Sequence, residues 1–314
     1  MRISGFTMAK NTSKLYYPIK EAIESILPIC DEFVVALGDC DPDDQTEALI
    51  KSIGSDKIRI IHTVWDLEKY PRGMENAHQT DIAREACSGD WLFYLQADEV
   101  VHEKYLDTIV QACQTHLEDE EVEGFLFRYK HFFGNYAHYN DHHGWYPYEI
   151  RVVRNHPDIH SYISAQSFRR IPDFDGLNYR QKENTFKLTV KKIDAEIYHY
   201  GWVRPPKLMQ AKSKSLDGIH KGRAAMEEAY KEKAPVFDYG NMNWYKRFKG
   251  THPRVMAPFI AQYDWEDELH FEKDYQINRP PMKHEKIKYR VLTWIEQHLF
   301  GGRQLFGYSN WRIK

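Results

Sequence analysis

The chain reads as an α/β protein on three observations. Short apolar runs of strand length alternate with amphipathic stretches through the first hundred residues, each run ends in a polar or acidic turn, and the intervening segments carry helical spacing. Ile3 to Thr7 is a first strand. Lys14 to Leu27 sets Leu15, Ile19, Ala22, Ile23 and Ile26 on one helical stripe, which Pro28 stops. Phe33 to Leu37, almost wholly apolar, is a second strand that runs into the acidic turn Gly38-Asp39-Cys40-Asp41-Pro42-Asp43-Asp44. A helix from about Gln45 to Ile53 and a third strand at Lys57 to Ile61 follow. After the Pro71-Arg72-Gly73 break, Met74 to Cys87 reads as a helix leading into a strand at Trp91. Strand-helix units of this length imply a parallel sheet with helices on both faces.

Beyond Glu99 the pattern changes. Val101, Tyr105, Ile109, Ala112 and His116 mark one helical face, and Glu118 to Glu123 is a solvated acidic loop. Val122 to Tyr129, Tyr148 to Val153 and Thr185 to Val190 read as further strands, whereas His131 to Tyr146, rich in Gly, Asn, His and aromatics, reads as a loop over the site. After Pro205-Pro206 the chain turns charged and helical, from Lys207 to about Lys233 and again at Ile287 to Leu299. The expected division is an α/β domain at residues 1–205 and a mainly helical extension at 206–314.

A chain of 314 residues can bury a substantial core. Its 21 Tyr and 8 Trp suit either that core or the apolar faces of sugars. A formal charge of −3 gives no reason to expect nucleic acid as a partner. Cys30, Cys40, Cys87 and Cys113 form no Cys-x-x-Cys pair, which argues against a zinc site or a disulfide framework. The amino terminus enters a strand without a signal-like apolar stretch, and no run approaches the roughly 18 residues of a membrane span. A cytoplasmic protein is expected, with peripheral membrane contact left open.

The most informative stretch is Asp90-Trp91-Leu92-Phe93-Tyr94-Leu95-Gln96-Ala97-Asp98-Glu99, a buried strand ending in two adjacent acids. Carboxyl ends of strands are where open α/β sheets keep their ligand crevice, and paired carboxylates there suit magnesium or manganese. The other strand ends share that rim: Thr7-Met8-Ala9-Lys10-Asn11, the turn with Asp39 and Asp41, and His62. Two acidic clusters on one rim suggest a nucleotide and its metal. Asp39 would accept from a base N–H, Asp98 would bind the cation, and Lys10 would supply positive charge.

At these residues the chain resembles the family-two glycosyltransferases, nucleotide-sugar-dependent enzymes of the GT-A fold, over roughly residues 3 to 205. Phe6 to Asn11 is similar to the family's opening strand and loop, Asp31 to Asp41 to its second strand and acidic turn, and Gly89 to Glu99 to the strand leading into its Asp-x-Asp motif. The resemblance implies a mixed GT-A sheet flanked by helices. It assigns Thr7, Lys10, Asn11, Asp39, Asp41, Gln96, Ala97 and Asp98 to the nucleotide sugar, and Mn2+ or Mg2+ to Asp98. Family members often bring a histidine back to the metal, and His199 in Ile197-Tyr198-His199-Tyr200-Gly201 fits that place. An inverting transfer needs a base, for which Glu149, before Ile150-Arg151-Val152-Val153-Arg154, comes first and Asp141 second. Arg151 and Arg154 would either pair with acids or steady phosphate. Two departures stand out: Gln96 replaces the motif's first acid, and Asn76 to Asp81 replaces the usual Ala-Arg-Asn tract. Lys207, Lys212, Lys214, Lys221 and Arg223 read as a solvated face, or as a surface for a phosphorylated or lipid-linked acceptor. The expected reaction moves a sugar from a nucleotide-sugar donor to a glycan or lipid-linked acceptor. The rivals are a sugar nucleotidyltransferase, which normally has a Gly-rich loop after its first strand, and a carbohydrate-binding protein without catalysis.

Overall fold

A strand covered on both faces has to be apolar along its whole length, and β1 (Ile3–Ala9) is buried at six of seven positions in the computed structural model, which describes residues 1–314. From it the chain alternates as expected: α1 (Ile19–Ile26), β2 (Glu32–Leu37), α2 (Thr46–Lys51), β3 (Ile58–His62), α3 (Met74–Glu85) and β4 (Trp91–Tyr94). These four strands are parallel, in the order β3-β2-β1-β4. After them come β5 (Glu99–Val101), α4 (Leu106–Thr115), β6 (Gly124–Phe133), β7 (Asn135–Asn140), β8 (Tyr148–Arg154), β9 (Ile159–Tyr162), β10 (Ser167–Arg170) and the long β11 (Phe186–Trp202). The sheet becomes mixed at β8, which runs antiparallel to both β4 and β6. It continues β6-β11-β10-β9, so the fold is the helix-flanked mixed sheet that the resemblance implied rather than a wholly parallel one.

Departures from the expected elements have local causes. The helix foreseen from Val101 starts at Leu106, because Glu99 to Val101 pairs antiparallel with Ile197 to His199. The strand foreseen at Thr185 to Val190 runs on to Trp202, where register shifts hide its alternation from the sequence. The segment 131–146 begins as strand, in β6 and β7, and opens into a loop only after Asn140. The helix foreseen to Lys233 is two, α5 (Pro206–Lys221) and α6 (Arg223–Tyr230), parted at Gly222, whose φ of 85° and ψ of 157° only glycine adopts freely.

Residues 206–314 lie on the sheet rather than beside it. They add β12 (Lys246–Arg247) to β7 and β13 (Trp311–Ile313) to β11, with the short α7 (Ala257–Ile260) and α8 (Ile287–Leu299) between. Their seam with the sheet is an aromatic core that includes Phe133, Tyr200, Tyr239, Tyr245 and Trp265. Much of the chain's aromatic content is used here, and Trp265 Nε1 donates to the Gly134 carbonyl at 2.9 Å.

The two acids after β4 have separate environments. Glu99 is fully buried and accepts from Arg151 Nε at 2.7 Å, Arg151 Nη2 at 2.8 Å, Tyr129 Oη at 2.7 Å and Gln96 N at 3.1 Å. Arg151 is therefore an ion-pair partner. Arg154 donates to the carbonyls of His116, Leu117, Asp119 and Val122 and lies 4.4 Å over the Trp91 ring, so neither arginine is offered to a phosphate.

Removing one partner of a buried pair leaves the other charge uncompensated. Arg151→Met should cost about 3–5 kcal/mol in denaturant unfolding, and Glu99→Gln added to it should restore part of the loss. The aromatic seam has its own pH dependence. His284 Nδ1 accepts from Trp145 Nε1 at 3.2 Å, and burial pushes its pKa from 6.5 down to about 4. As pH falls through 6.5 the unfolded chain takes up that proton before the folded one does, so this contribution to stability drops until about pH 4. Unfolding midpoints measured across this window should fall more steeply for the wild type than for His284→Asn.

Candidate active site

The carboxyl ends of β1, β2 and β4, together with the carboxyl end of β11 and helix α5, enclose a cleft of about 1130 Å3 whose wall includes Lys10, Asn11, Trp65, Asp98, His199 and Lys212. Its β1–β2 side is set by short polar ties. Asn11, in the left-handed region at φ 52°, accepts from Asp41 N at 2.8 Å through Oδ1. Lys10 Nζ reaches Asp39 at 2.7 Å, and Asp39 also accepts from Trp65 N at 2.9 Å. Burial acts to raise the Asp39 carboxyl, but these donors outweigh it and hold it below the usual carboxylate range. Lys14 bridges Asp41 and Asp43 at 2.8 Å each, so the acidic turn already carries its counter-charges.

The opposite side is built by the pairing of β5 with β11. Glu99 faces His199 across that ladder, and Tyr200 N donates to the Asp98 carbonyl at 2.8 Å, which sets the Asp98 side chain beside His199. Asp98 Oδ2 lies 3.8 Å from His199 Nε2 and 3.5 Å from Lys212 Nζ. All three side chains are buried. Burial works to raise the Asp98 carboxyl, yet the positive charge of Lys212, with that of Arg204, prevails and lowers it.

The hydrogen bonds around His199 decide which of its nitrogens is bare. His131 Nε2 lies 2.8 Å from the Tyr146 carbonyl, which can only accept, so His131 carries its proton on Nε2. Its Nδ1 is then an acceptor, and it lies 2.9 Å from His199 Nδ1, which must donate. His199 Nε2 is left with a free lone pair facing the Asp98 carboxylate. Both rings are neutral at pH 7, since burial pushes His131 down to about 3 and His199 to about 4. A carbonyl behind one histidine thus leaves Nε2 of a second histidine bare, the state in which an imidazole can hold a metal.

Gly201 provides the room. It follows His199 by two positions, on the same side of the strand, where the β6–β11 register shifts. A Cβ placed on it would stand 2.5 Å from His199 Nε2 and 2.7 Å from Asp98 Oδ2. The space between an imidazole lone pair and a carboxylate is therefore kept open by the lack of a side chain, and this donor set fits Mn2+ or Mg2+. Lys212 Nζ borders the space while donating to the Gly201 carbonyl at 2.6 Å, and burial pushes its pKa down to about 7. A second grouping, Asp81, Glu85 and His160, has its cation already: Arg84 reaches Asp81 at 3.0 Å and Glu85 at 3.1 Å.

The other residues foreseen for the site are dispersed. Asn11, Asp41, Gln96 and Ala97 line the cleft with Lys10 and Asp98. Gln96 Nε2 donates to the Ala165 carbonyl at 3.0 Å and so tethers the β9–β10 loop. Thr7 is buried within β1, its hydroxyl turned back on the Met8 carbonyl at 3.3 Å. Neither base candidate reaches the cleft wall. Glu149 is buried in β8, accepting from Ser167 Oγ at 2.8 Å and Asn310 Nδ2 at 3.2 Å, and Asp141 is held by Lys246 at 2.5 Å and Gln297 Nε2 at 2.9 Å. Lys212, foreseen on a solvated face, is instead buried at the centre of the site. His131 and Tyr146 carry no signal of this role in the sequence, whereas the two-residue step from His199 to Gly201 is visible there.

No protein-family model matches the chain, and no curated protein does. Among solved structures it is similar to glucosyl-3-phosphoglycerate synthase from Mycobacterium tuberculosis in complex with Mn2+, UDP and phosphoglyceric acid, at 21% identity over 42% of this chain and 43% of that one, with a TM-score of 0.27. It is also similar to S. aureus TarS, at 13% identity over 69% of this chain and 39% of that one, with a TM-score of 0.37. The chain spans less than half the length of either.

Filling the Gly201 space should remove the cation site without removing its ligands. Gly201→Ala is expected to weaken Mn2+ binding more than about tenfold in calorimetry, as the loss of a ligand contact does, while the far-UV circular dichroism stays that of the wild type.

Proposed function

We propose that the cleft transfers a sugar from a nucleotide-sugar donor to a hydroxyl of a glycan or lipid-linked acceptor, with Mn2+ or Mg2+ held by Asp98 and His199. The observation that carries this reading is the facing pair of Asp98 Oδ2 and the bare His199 Nε2 across the Gly201 space, in a cleft that also presents Lys10 and Lys212. When bound, the ion supplies positive charge against a diphosphate leaving group. The chain's own groups do the rest. Lys212 adds a cation beside Asp98 and Lys10 one at the β1 end, Trp65 offers an indole face beside Lys10, and Asp39 stands behind both as acceptor.

Gln96 does not weaken this assignment. Its amide is engaged by the Ala165 carbonyl, and the second ligand comes from β11 rather than from position 96. That arrangement also counts against the non-catalytic rival, whose best support was the missing first acid. The nucleotidyltransferase rival fares no better, since the loop after β1 holds Lys10, Asn11 and Thr12 in place of glycine amides, and the Asn11 side chain is occupied by Asp41 N. The proton acceptor for the acceptor hydroxyl is not placed at Glu149 or Asp141, both of which are engaged away from the cleft.

Asp98→Asn keeps the shape of the site and removes one ligand charge. It should abolish Mn2+-dependent release of nucleoside diphosphate from a panel of nucleotide sugars and lower Mn2+ affinity in calorimetry. Turnover retained at the wild-type rate would take Asp98 out of the metal role, and a wild type that binds neither Mn2+ nor any nucleoside diphosphate would overturn the transferase reading.

A further inference from the structure

Helix α8 is amphipathic with its sides exchanged. The face turned to the protein is centred on polar groups, with Tyr289 and Leu292 half-buried beside them: Thr293 Oγ1 accepts from His143 N at 2.9 Å, and Glu296 Oε1 meets His143 Nδ1 at 2.8 Å and Leu305 N at 2.7 Å. The face turned to solvent carries Ile287, Val291 and Trp294, exposed by 79%, 52% and 56%, with Leu299 and Phe300 continuing it past the helix end. Phe306, at 92% exposure, lies just beyond. In a helix held only by its own domain the apolar stripe turns inward, so a stripe turned outward has another medium to meet.

Charge identifies that medium. From residue 286 to 314 the basic side chains are Lys286, Lys288, Arg290, Arg303 and Arg312, besides Lys314, which is paired with Asp119 and Glu121, and the one acid, Glu296, is buried against His143. Exposed aliphatic and aromatic side chains interspersed with Lys and Arg, with no free acid among them, are what the interface of an anionic bilayer accepts. A second copy of the chain would bring the same cations face to face across a two-fold axis, which opposes self-association through this surface. We infer that α8 and the turn after it form a peripheral membrane-binding surface, lying flat on an anionic lipid headgroup layer with Ile287, Val291 and Trp294 buried in it. The inference stands apart from the sugar-transfer reading, since it rests on residues outside the cleft and is read without turnover. No helix is long and apolar enough to cross a membrane, so the contact is with one leaflet.

The test is co-flotation of the full chain with vesicles of equal parts phosphatidylglycerol and phosphatidylcholine, beside vesicles of phosphatidylcholine alone. The wild type should float with the anionic vesicles only, and less at high salt. Val291→Asp with Trp294→Asp should lower binding more than tenfold, and Lys288→Gln and Arg303→Gln about fivefold each, with unfolding midpoints unchanged. Lack of association with anionic vesicles would overturn the proposal, as would equal association by the Val291→Asp, Trp294→Asp variant. So would a dimer in solution that this variant converts to monomer while wild-type chains ignore lipid.

Discussion

Adjacent carboxylates at the end of a core strand cannot share one environment, and the molecule is organised around separating them. Glu99 turns into the interior and is saturated by Arg151, Tyr129 and a backbone N–H, which ties the β4–β5 connection to β6 and β8. Asp98, one residue earlier, is thereby aimed at the cleft. Because the interior acid has its own guanidinium, the positive groups near Asp98 are not drawn away from it. The position of the site's only buried carboxylate therefore follows from an ion pair that takes no part in the chemistry.

The second half of the site comes from β11, a strand whose irregularities are its use. Where its register against β6 shifts, Gly201 leaves a gap and its carbonyl accepts from both Lys212 and Arg204, so one irregularity makes room for a cation and anchors the ammonium beside that room. The tautomer of His199 is set from further back, by a carbonyl in the loop that Tyr146 occupies. That loop is in turn fastened to α8 through His143, so the ligand geometry and the exposed helix belong to one connected structure.

The β1–β4 half was legible because periodicity there matches structure: apolar runs are parallel strands, and the helical stripe of α1 faces them, whereas α3 buries a largely polar face. Asp98 and His199 were legible for a chemical reason, since a carboxylate after a core strand and a histidine near a late strand end are few enough to notice. Lys212 was hidden, because a lysine among other lysines on a helix looks the same whether it is solvated or turned inward. Glu149 misled for the converse reason. An acid before an arginine-rich strand reads as available, and only the positions of Ser167 and Asn310, distant in sequence, show that its oxygens are taken. The long β11 was cut short in the reading because its register shifts break the period of two on which strand recognition depends. The extension's place was the least legible feature, since its aromatic seam with the sheet has no local signature.

The spacing of these partners along the chain also bears on how the molecule is made. As synthesis proceeds, Asp98 and Glu99 emerge together, Arg151 follows fifty-two residues after Glu99, and Lys212 comes later still. A nascent chain that has completed only its first four strands holds a core strand ending in two acids with neither cation yet present. The composition changes near residue 205, but the charges do not balance there. Helix α5 supplies the ammonium beside Asp98, so the charges of the site are completed across that change in composition.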